Sequence, residues 1–462
     1  MKEKKIFDAI TDVREELIEE AENSRLNKNR RLWQKTAVLA ACVVLVIAVV
    51  LLIPGLEKEE TKTGPLLDVV YPDVYAFDDG EARMAIRNQN PVDAAFVEAI
   101  NNFSYKTATL LLQDDGRNKS YAPLSLYFAL SLASSGARQD TATELLDVLG
   151  VPDTGTMMQQ CGNLYRLLYH ENKIGKLKIA NSLWLDHDYR GQPVHFKDDF
   201  VKQAAEHFYA SSHHVDFAQP ETGKQMAAWI VEHTQGTLNP EIEADPEQIL
   251  AIINTIYFYD QWVDRFSKEE TSEDIFYLAD GSEVKSDFMN RTCFSAGFSR
   301  GTNFTRAGLA LKNAAQMVFV LPDQGVSPYE LLASPELTRL TIEGGDEHNG
   351  EVIWKIPKFS FGSAFDLKDM LIKLGVNKAF QQDADFSGIT DHTAFISRIR
   401  QETHIAIDEN GVEAAAFTKI DYAGAAQPQG RAEMILDRPF IFAVIAQNGN
   451  LLFVGVCENP AQ

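Results

Sequence analysis

Between Gly411 and Asp421 the chain alternates with a period of two. In an extended conformation Val412, Ala414, Ala416, Thr418 and Ile420 share one face, and Glu413, Ala415, Phe417, Lys419 and Asp421 share the other. The first face is narrow and apolar, whereas the second is mostly polar. Such an arm can enter between two existing strands at little steric cost, with Gly411 as the bend or hinge at its base. A buried edge strand is the plainer reading of the segment taken alone.

Elsewhere the pattern predicts mixed structure. Phe96, Ile100, Phe103, Thr107 and Leu110 to Leu112 recur at helical spacing after Pro91 and before the break at Gly116. Strand-like runs follow at 179–185, 249–259, 317–321, 352–361, 395–407 and 440–456, with helical patterns between the earlier ones. This order predicts an α+β fold with mixed sheets rather than a regular parallel βαβ wheel. No glycine-rich loop follows a strand in the context a nucleotide phosphate needs.

The N-terminal part has a different character. Ala37 to Ile53 holds 17 apolar or small residues without a charge, extended to about 20 by Pro54, Gly55 and Leu56, which just spans a bilayer core. The preceding segment is too long for a secretory signal, and no small-x-small cleavage pattern follows, so 36–56 reads as an uncleaved membrane helix. Arg25, Lys28, Arg30, Arg31 and Lys35 precede it, which places residues 1–35 in the cytoplasm and the rest outside, with Trp33 at the inner interface. Within 1–35, Ile6, Ile10, Val13 and Leu17, joined by Phe7 and Ile18, form an amphipathic helix pattern with an acidic opposite face. Its two readings are a surface for a cytoplasmic partner or self-association, and a short fraying helix that only aids topology. Residues 57–91, with scattered charges, Pro65 and Pro72, read as an extracellular stalk.

Composition narrows the function classes. The 462 residues are 45% hydrophobic and carry a formal charge of −23, enough apolar content for a large core. Beyond residue 35 there are 34 basic against 58 acidic residues, a net −24. That surface disfavours nonspecific nucleic-acid binding, which needs clustered positive charge. Cys42 lies in the apolar stretch. Cys161, Cys293 and Cys457 are an odd, widely spaced set with neither a disulfide framework nor paired metal-ligand spacing, and read as structural thiols. His213 and His214 are adjacent, so on a strand they face opposite ways and do not chelate one metal. No cofactor or metal is expected. Gly297-Phe-Ser299-Arg-Gly301 fits Gly-x-Ser-x-Gly, but Thr302, Asn303 and Thr305 make a poor helix start after it, so a hydrolase nucleophile is not expected at Ser299.

Ordered blocks along the chain then carry a family resemblance. Asn118, Pro123-Leu-Ser125, Gly136-Ala-Arg138 and the stretch from Thr141 to Gly150 come first. Asn254-Thr-Ile-Tyr-Phe with Trp262, Phe266 and Thr271 follows, then Leu321-Pro-Asp-Gln-Gly, Ile356-Pro-Lys-Phe and Asp366-Leu-Lys-Asp. Leu374-Gly, Asp385-Phe-Ser-Gly-Ile-Thr, Asp437-Arg-Pro-Phe, Phe453-Val-Gly and Asn459-Pro460 complete the series. Together with Glu409-Asn-Gly-Val-Glu-Ala-Ala-Ala they resemble the serpins, protease inhibitors whose reactive loop inserts into their own central sheet. The resemblance covers about Val92 to Pro460 and implies a serpin domain over 92–462 with a reactive loop at about 409–436. It also implies three mixed or antiparallel sheets and about eight to nine helices, here preceded by one transmembrane helix in a membrane-anchored, bacterial-type member.

The same resemblance assigns residues. The hinge is Glu409, Gly411, Val412, Glu413, Ala414, Ala415 and Ala416. Lys358 pairs with Glu409 beside Trp262 where insertion begins, while Ser125, Asn254 and Gln401 control sheet opening, Gln401 standing where the family more often has His and Ala122 where it more often has Ser. Fourteen residues beyond Gly411 place the reactive bond between Ala425 and Ala426. A small residue before the cut suits elastase-like or subtilisin-like serine proteases, trapped outside the cell as acyl-enzymes. The chain is therefore expected to be an inhibitor, not an enzyme, with a non-inhibitory binding or sensing protein as the alternative. Phe417 departs from the small residue usual at its place, but it shares a face with Glu413 and Lys419 and is expected on the outer side after insertion. Ala414→Arg should then abolish stable complex formation while Phe417→Ala changes it little.

Overall fold

A computed structural model of the chain describes residues 65–189, 191–397, 399–412 and 430–462. The expected membrane helix and the amphipathic pattern before it lie outside the described residues, as do Glu413 to Ala416, Phe417, Ala425 and Ala426. Among the described residues no helix is long and apolar enough to cross a membrane.

The described chain is α+β, with nine α-helices and two large sheets. The expected helix after Pro91 is Ala94–Leu111, burying Phe96, Ile100 and Phe103. The next helix, Pro123–Gly136, starts with proline at its first position, where the missing N–H costs nothing, and is buried along almost its whole length beneath the central sheet. Gln139–Leu149 ends at Gly150 with φ +69°, a left-handed cap that suits glycine. Asp153 caps Thr154–Leu168 by accepting from the Thr156 N–H at 2.9 Å.

The central sheet has seven strands. Lys176–Asp186 pairs antiparallel with Leu250–Gln261 over ten rungs and parallel with the edge strand Ala210–Val215. Phe359–Asp366 pairs antiparallel with Arg400–Ile407 over eight. The helix Pro220–His233 and the segment after it cover the other face through Met226, Trp229 and Ile230, which pack with Trp184 and Ala251. The remaining strands form one nine-stranded sheet and a two-stranded ribbon, so where three mixed or antiparallel sheets were expected the described residues form two large sheets and a ribbon. The 19-residue strand Glu283–Gly301 causes the fusion. Its first six residues pair with Ser272–Tyr277, its last residues pair with Phe304–Ala310, and Asp346–Pro357 runs along most of its length, so one ladder crosses what would be two sheets.

The distal part of the expected stalk lies against this body. The Leu66 N–H donates to the Ser212 carbonyl of the edge strand at 2.8 Å, and Tyr71 stacks on Tyr169 and Tyr209 with centroids 6.0 and 6.2 Å apart. Residues Gly80–Gln89 form a helix capped by Asp79. Cys161 and Cys457 are buried and Cys293 half-buried, all three as free thiols. His213 stacks on Trp184 and His214 on Phe196, so the neighbouring imidazoles do diverge. Ser299 sits inside the long strand opposite Arg306 and Glu347, not on a strand-to-helix turn.

Candidate functional site

The site is the seam of the central sheet between Leu250–Gln261 and Arg400–Ile407. On their outer sides the first is paired from Leu250 to Tyr259 and the second along its whole length. On the sides that face each other, among the described residues, only three connections exist. Gly411–Val412 forms two rungs with Gln261 and Asp260, Ile407 pairs with Val412, and Leu250 bridges Ile396 at the far end. Between them the described residues form no further rung across the seam, so the facing main-chain edges of 251–256 and 400–406 make a template for another strand.

The described part of the expected hinge, Glu409 to Val412, sits at the head of the seam. A turn joins Ile407 to Gly411, in which the Asn410 and Gly411 N–H groups donate to Asp408 Oδ1 at 2.8 and 3.2 Å and the Asp408 N–H donates to the Gly411 carbonyl at 3.0 Å. Space, rather than an unusual dihedral angle, demands glycine at 411: a Cβ there would meet the Asp260 carbonyl oxygen at 2.2 Å and Gln261 Cα at 2.7 Å. Val412 is buried in the core.

Trp262 clamps this turn from the side. Its indole N–H donates to the Asp408 carbonyl at 2.9 Å and its main-chain N–H to the Asn410 carbonyl at 3.1 Å, while the Phe266 N–H reaches the Glu409 carbonyl. The Glu409 side chain is 6% exposed, with Oε1 3.3 Å from Lys358 Nζ and accepting from the Thr271 hydroxyl at 2.9 Å. Burial pushes the Glu409 carboxyl up, but its own main-chain N–H, Thr271 and Lys358 outweigh that and hold it below the usual carboxylate range. One rung along, Asp260 is fully buried. It accepts from the Gln261 and Asn313 N–H groups and the Asn313 amide at 2.8 to 3.0 Å, and burial pushes its carboxyl up to about 7.

Midway down the seam a second polar group ties the sheet to the helix Pro123–Gly136. The Ser125 hydroxyl hydrogen-bonds Asn254 Oδ1. Asn254 then donates to Asn181 Oδ1 at 2.6 Å, and Asn181 donates to the Phe208 carbonyl at 2.6 Å. Across the seam Gln401 grips the helix entry with both ends of its amide, accepting from the Ala122 N–H at 3.1 Å and donating to the Ala122 carbonyl at 2.9 Å. A histidine has no such donor and acceptor side by side, so glutamine at 401 makes a clasp of its own kind. Thr403 adds a bond from its hydroxyl to the Ser120 carbonyl.

The structure thus gathers Lys358, Glu409, Trp262, Gly411 and Val412 at one end of the seam and Ser125, Asn254 and Gln401 at its middle. Thr271, Asn313, Asp260 and Asn181 join them, though sequence reasoning gave them no role. Asn181 left a signal, since with Ser182 it interrupts the apolar run 179–185. Thr271 stood among the residues of the family resemblance without a role, and Asn313 left no signal, because its partner is distant in sequence.

Comparison with known proteins agrees with this geometry. The family model described as serpin (serine protease inhibitor) matches residues 98–460. An alpha-1-antitrypsin-like protein from Tamias sibiricus is 28% identical over 366 residues, covering 76% of this chain and 86% of its own. Among solved structures, Serpin48 from the insect Tenebrio molitor is 28% identical with a TM-score of 0.69, covering 79% of this chain and 98% of its own. Tengpin, a thermophilic serpin in its native state, shares the fold at a TM-score of 0.72 and 24% identity, covering 86% of this chain and 99% of its own. The chain belongs to the serpin family.

Proposed function

We propose that this serpin is a membrane-anchored suicide inhibitor of extracellular serine proteases. The observation that carries the reading is the seated hinge: Gly411 and Val412 occupy the first two rungs of a seam across which the described residues form no further rung until Leu250 bridges Ile396 at the far end. A protease cutting beyond the hinge forms an acyl-enzyme and frees the arm. Continuing the antiparallel pairing then adds a hydrogen-bonded strand between two waiting edges, and the free energy released drags the protease and pulls its catalytic groups out of line. In that register Ala414, Ala416 and Thr418 arrive opposite Phe258, Ile256 and Asn254, on the inner face where small residues pass easily.

The Trp262–Glu409–Lys358 group and the Ser125–Asn254–Gln401 group would set how readily the seam opens. The reactive bond Ala425–Ala426 fits elastase-like or subtilisin-like enzymes with shallow specificity pockets. The apolar stretch 37–56 would hold the inhibitor at the cell surface, leaving the amphipathic segment 6–18 for a cytoplasmic partner. Incubation with elastase and with subtilisin tests the proposal. A covalent complex that survives denaturing electrophoresis is expected. Cleavage without complex by every protease in a panel would instead favour a non-inhibitory binding or sensing role.

A further inference from the structure

Beneath the helix Pro220–His233 and the segment that follows it lies a cavity of about 620 Å³ that opens onto the seam from its outer face. That size lies within the range of ligand-binding pockets. Met226, Ile230, Leu238 and Ile242 form its apolar side, and Ala251, Ile253 and Thr255 its floor on one strand. Arg400 and Glu402 border it on the other strand and pair with each other at 2.6 Å. On both strands the inner-face side chains, Asn254 with Ser125 and Gln401 with Ala122, point away to the helix below. Thr255 and Glu402, one residue along, therefore belong to the cavity side.

The register of the seated hinge says what arrives there. Val412 pairs with Asp260 on one strand and with Ile407 on the other. Continued without a slip, both ladders bring residue 417 level with Thr255 and with Glu402, and residue 419 level with Ile253 and with Arg400. These four partners all line the cavity. We propose that this cavity is a preformed receptacle for the Phe417 ring, filled only when the reactive arm inserts. Lys419 follows two residues on, where Glu241, Glu243 and Asp245 on the covering segment supply opposite charge. Phe417 is then a positioning residue: it fixes the register of the inserted arm and adds apolar burial to the inserted state alone.

This inference rests on the insertion reading, and its test separates the two. The full-length protein in detergent, its Phe417→Ala variant, Ile242→Trp, which fills the cavity from the covering segment, and the double variant are melted intact and after loop cleavage by elastase. Cleavage is expected to raise the melting temperature of the parent strongly. Intact Phe417→Ala should melt with the intact parent, but once cleaved it should melt several degrees below the cleaved parent, because truncating a buried Phe shifts such an equilibrium roughly a hundredfold. Ile242→Trp should lose the same increment, and the double variant should lose little more. If cleavage stabilises parent and Phe417→Ala equally, insertion stands and the receptacle is overturned. If cleavage leaves the parent's melting temperature unchanged, the insertion reading falls and takes this proposal with it.

Discussion

Ala414→Arg probes the face assignment most sharply. Extending the observed rungs places residue 414 between Phe258 and Ile405, which are 7% and 4% exposed. Phe258 packs toward Phe453 in the main core, with ring centroids 6.3 Å apart. A guanidinium delivered there loses its water without gaining a carboxylate, at a cost of several kcal/mol. If about 3–4 kcal/mol of that appears in the insertion barrier, insertion slows by about two to three orders of magnitude. Hydrolysis of the acyl-enzyme then wins, and the variant is consumed as a substrate. Ala415→Arg is the matched control: the same charge one residue along lies between half-buried Tyr257 and His404 on the outer face. Titrating a fixed amount of elastase and counting moles of inhibitor per mole inactivated reads both. Ala414→Arg should show no stable complex while Ala415→Arg and Phe417→Ala still trap. Equal stoichiometries for the two arginine variants would refute the face assignment.

Gln401→Leu strips two hydrogen bonds from Ala122, leaving its buried N–H unpaired and its carbonyl with only the 3.4 Å bond from the Leu126 N–H, so chemical denaturation of the intact form should show a loss of about 1–3 kcal/mol. An unchanged midpoint would mean that the clasp carries no stability. The Glu409 carboxyl is held below its ordinary range, so its contribution is complete above the unfolded-state pKa and is lost as pH falls through the lowered value. Spontaneous insertion, followed by acquired resistance to urea, should therefore stay slow at neutral pH and accelerate only in acid below the ordinary carboxylate range. In Glu409→Gln it should be fast at neutral pH and flat with pH. Mass spectrometry of the loop after brief elastase treatment should show cleavage after Ala425 or an adjacent small residue; release after Arg431 would overturn the assignment of the reactive bond.

The elements legible in the sequence were those with uniform burial. The run 179–185 became Lys176–Asp186, and 317–321 became Gln316–Pro322, because both strands are buried along nearly their whole length. Glu283–Gly301 escaped notice because long stretches of both its faces are solvated, which erases the alternation. The run 352–361 proved to be two strands in different sheets, parted at Lys358 after Pro357. The run 440–456 is a hairpin that turns at Gly449, with φ +86°. At the site, motif positions located Trp262, Lys358, Glu409 and Gln401. The way Gln401 binds was not legible, since its partner Ala122 lies 279 residues away and offers only main-chain atoms. The same holds for Asp260, whose carboxyl is stabilised by Asn313 from a separate turn.

The central claim is that the seam is a waiting strand position. Its most direct test is the melting temperature of the protein before and after a single cut between Val412 and Gly430 with both fragments retained. The cleaved form should melt far above the intact form, since the arm gains a full set of main-chain partners on both sides. A cleaved form that melts at or below the intact temperature would contradict the account.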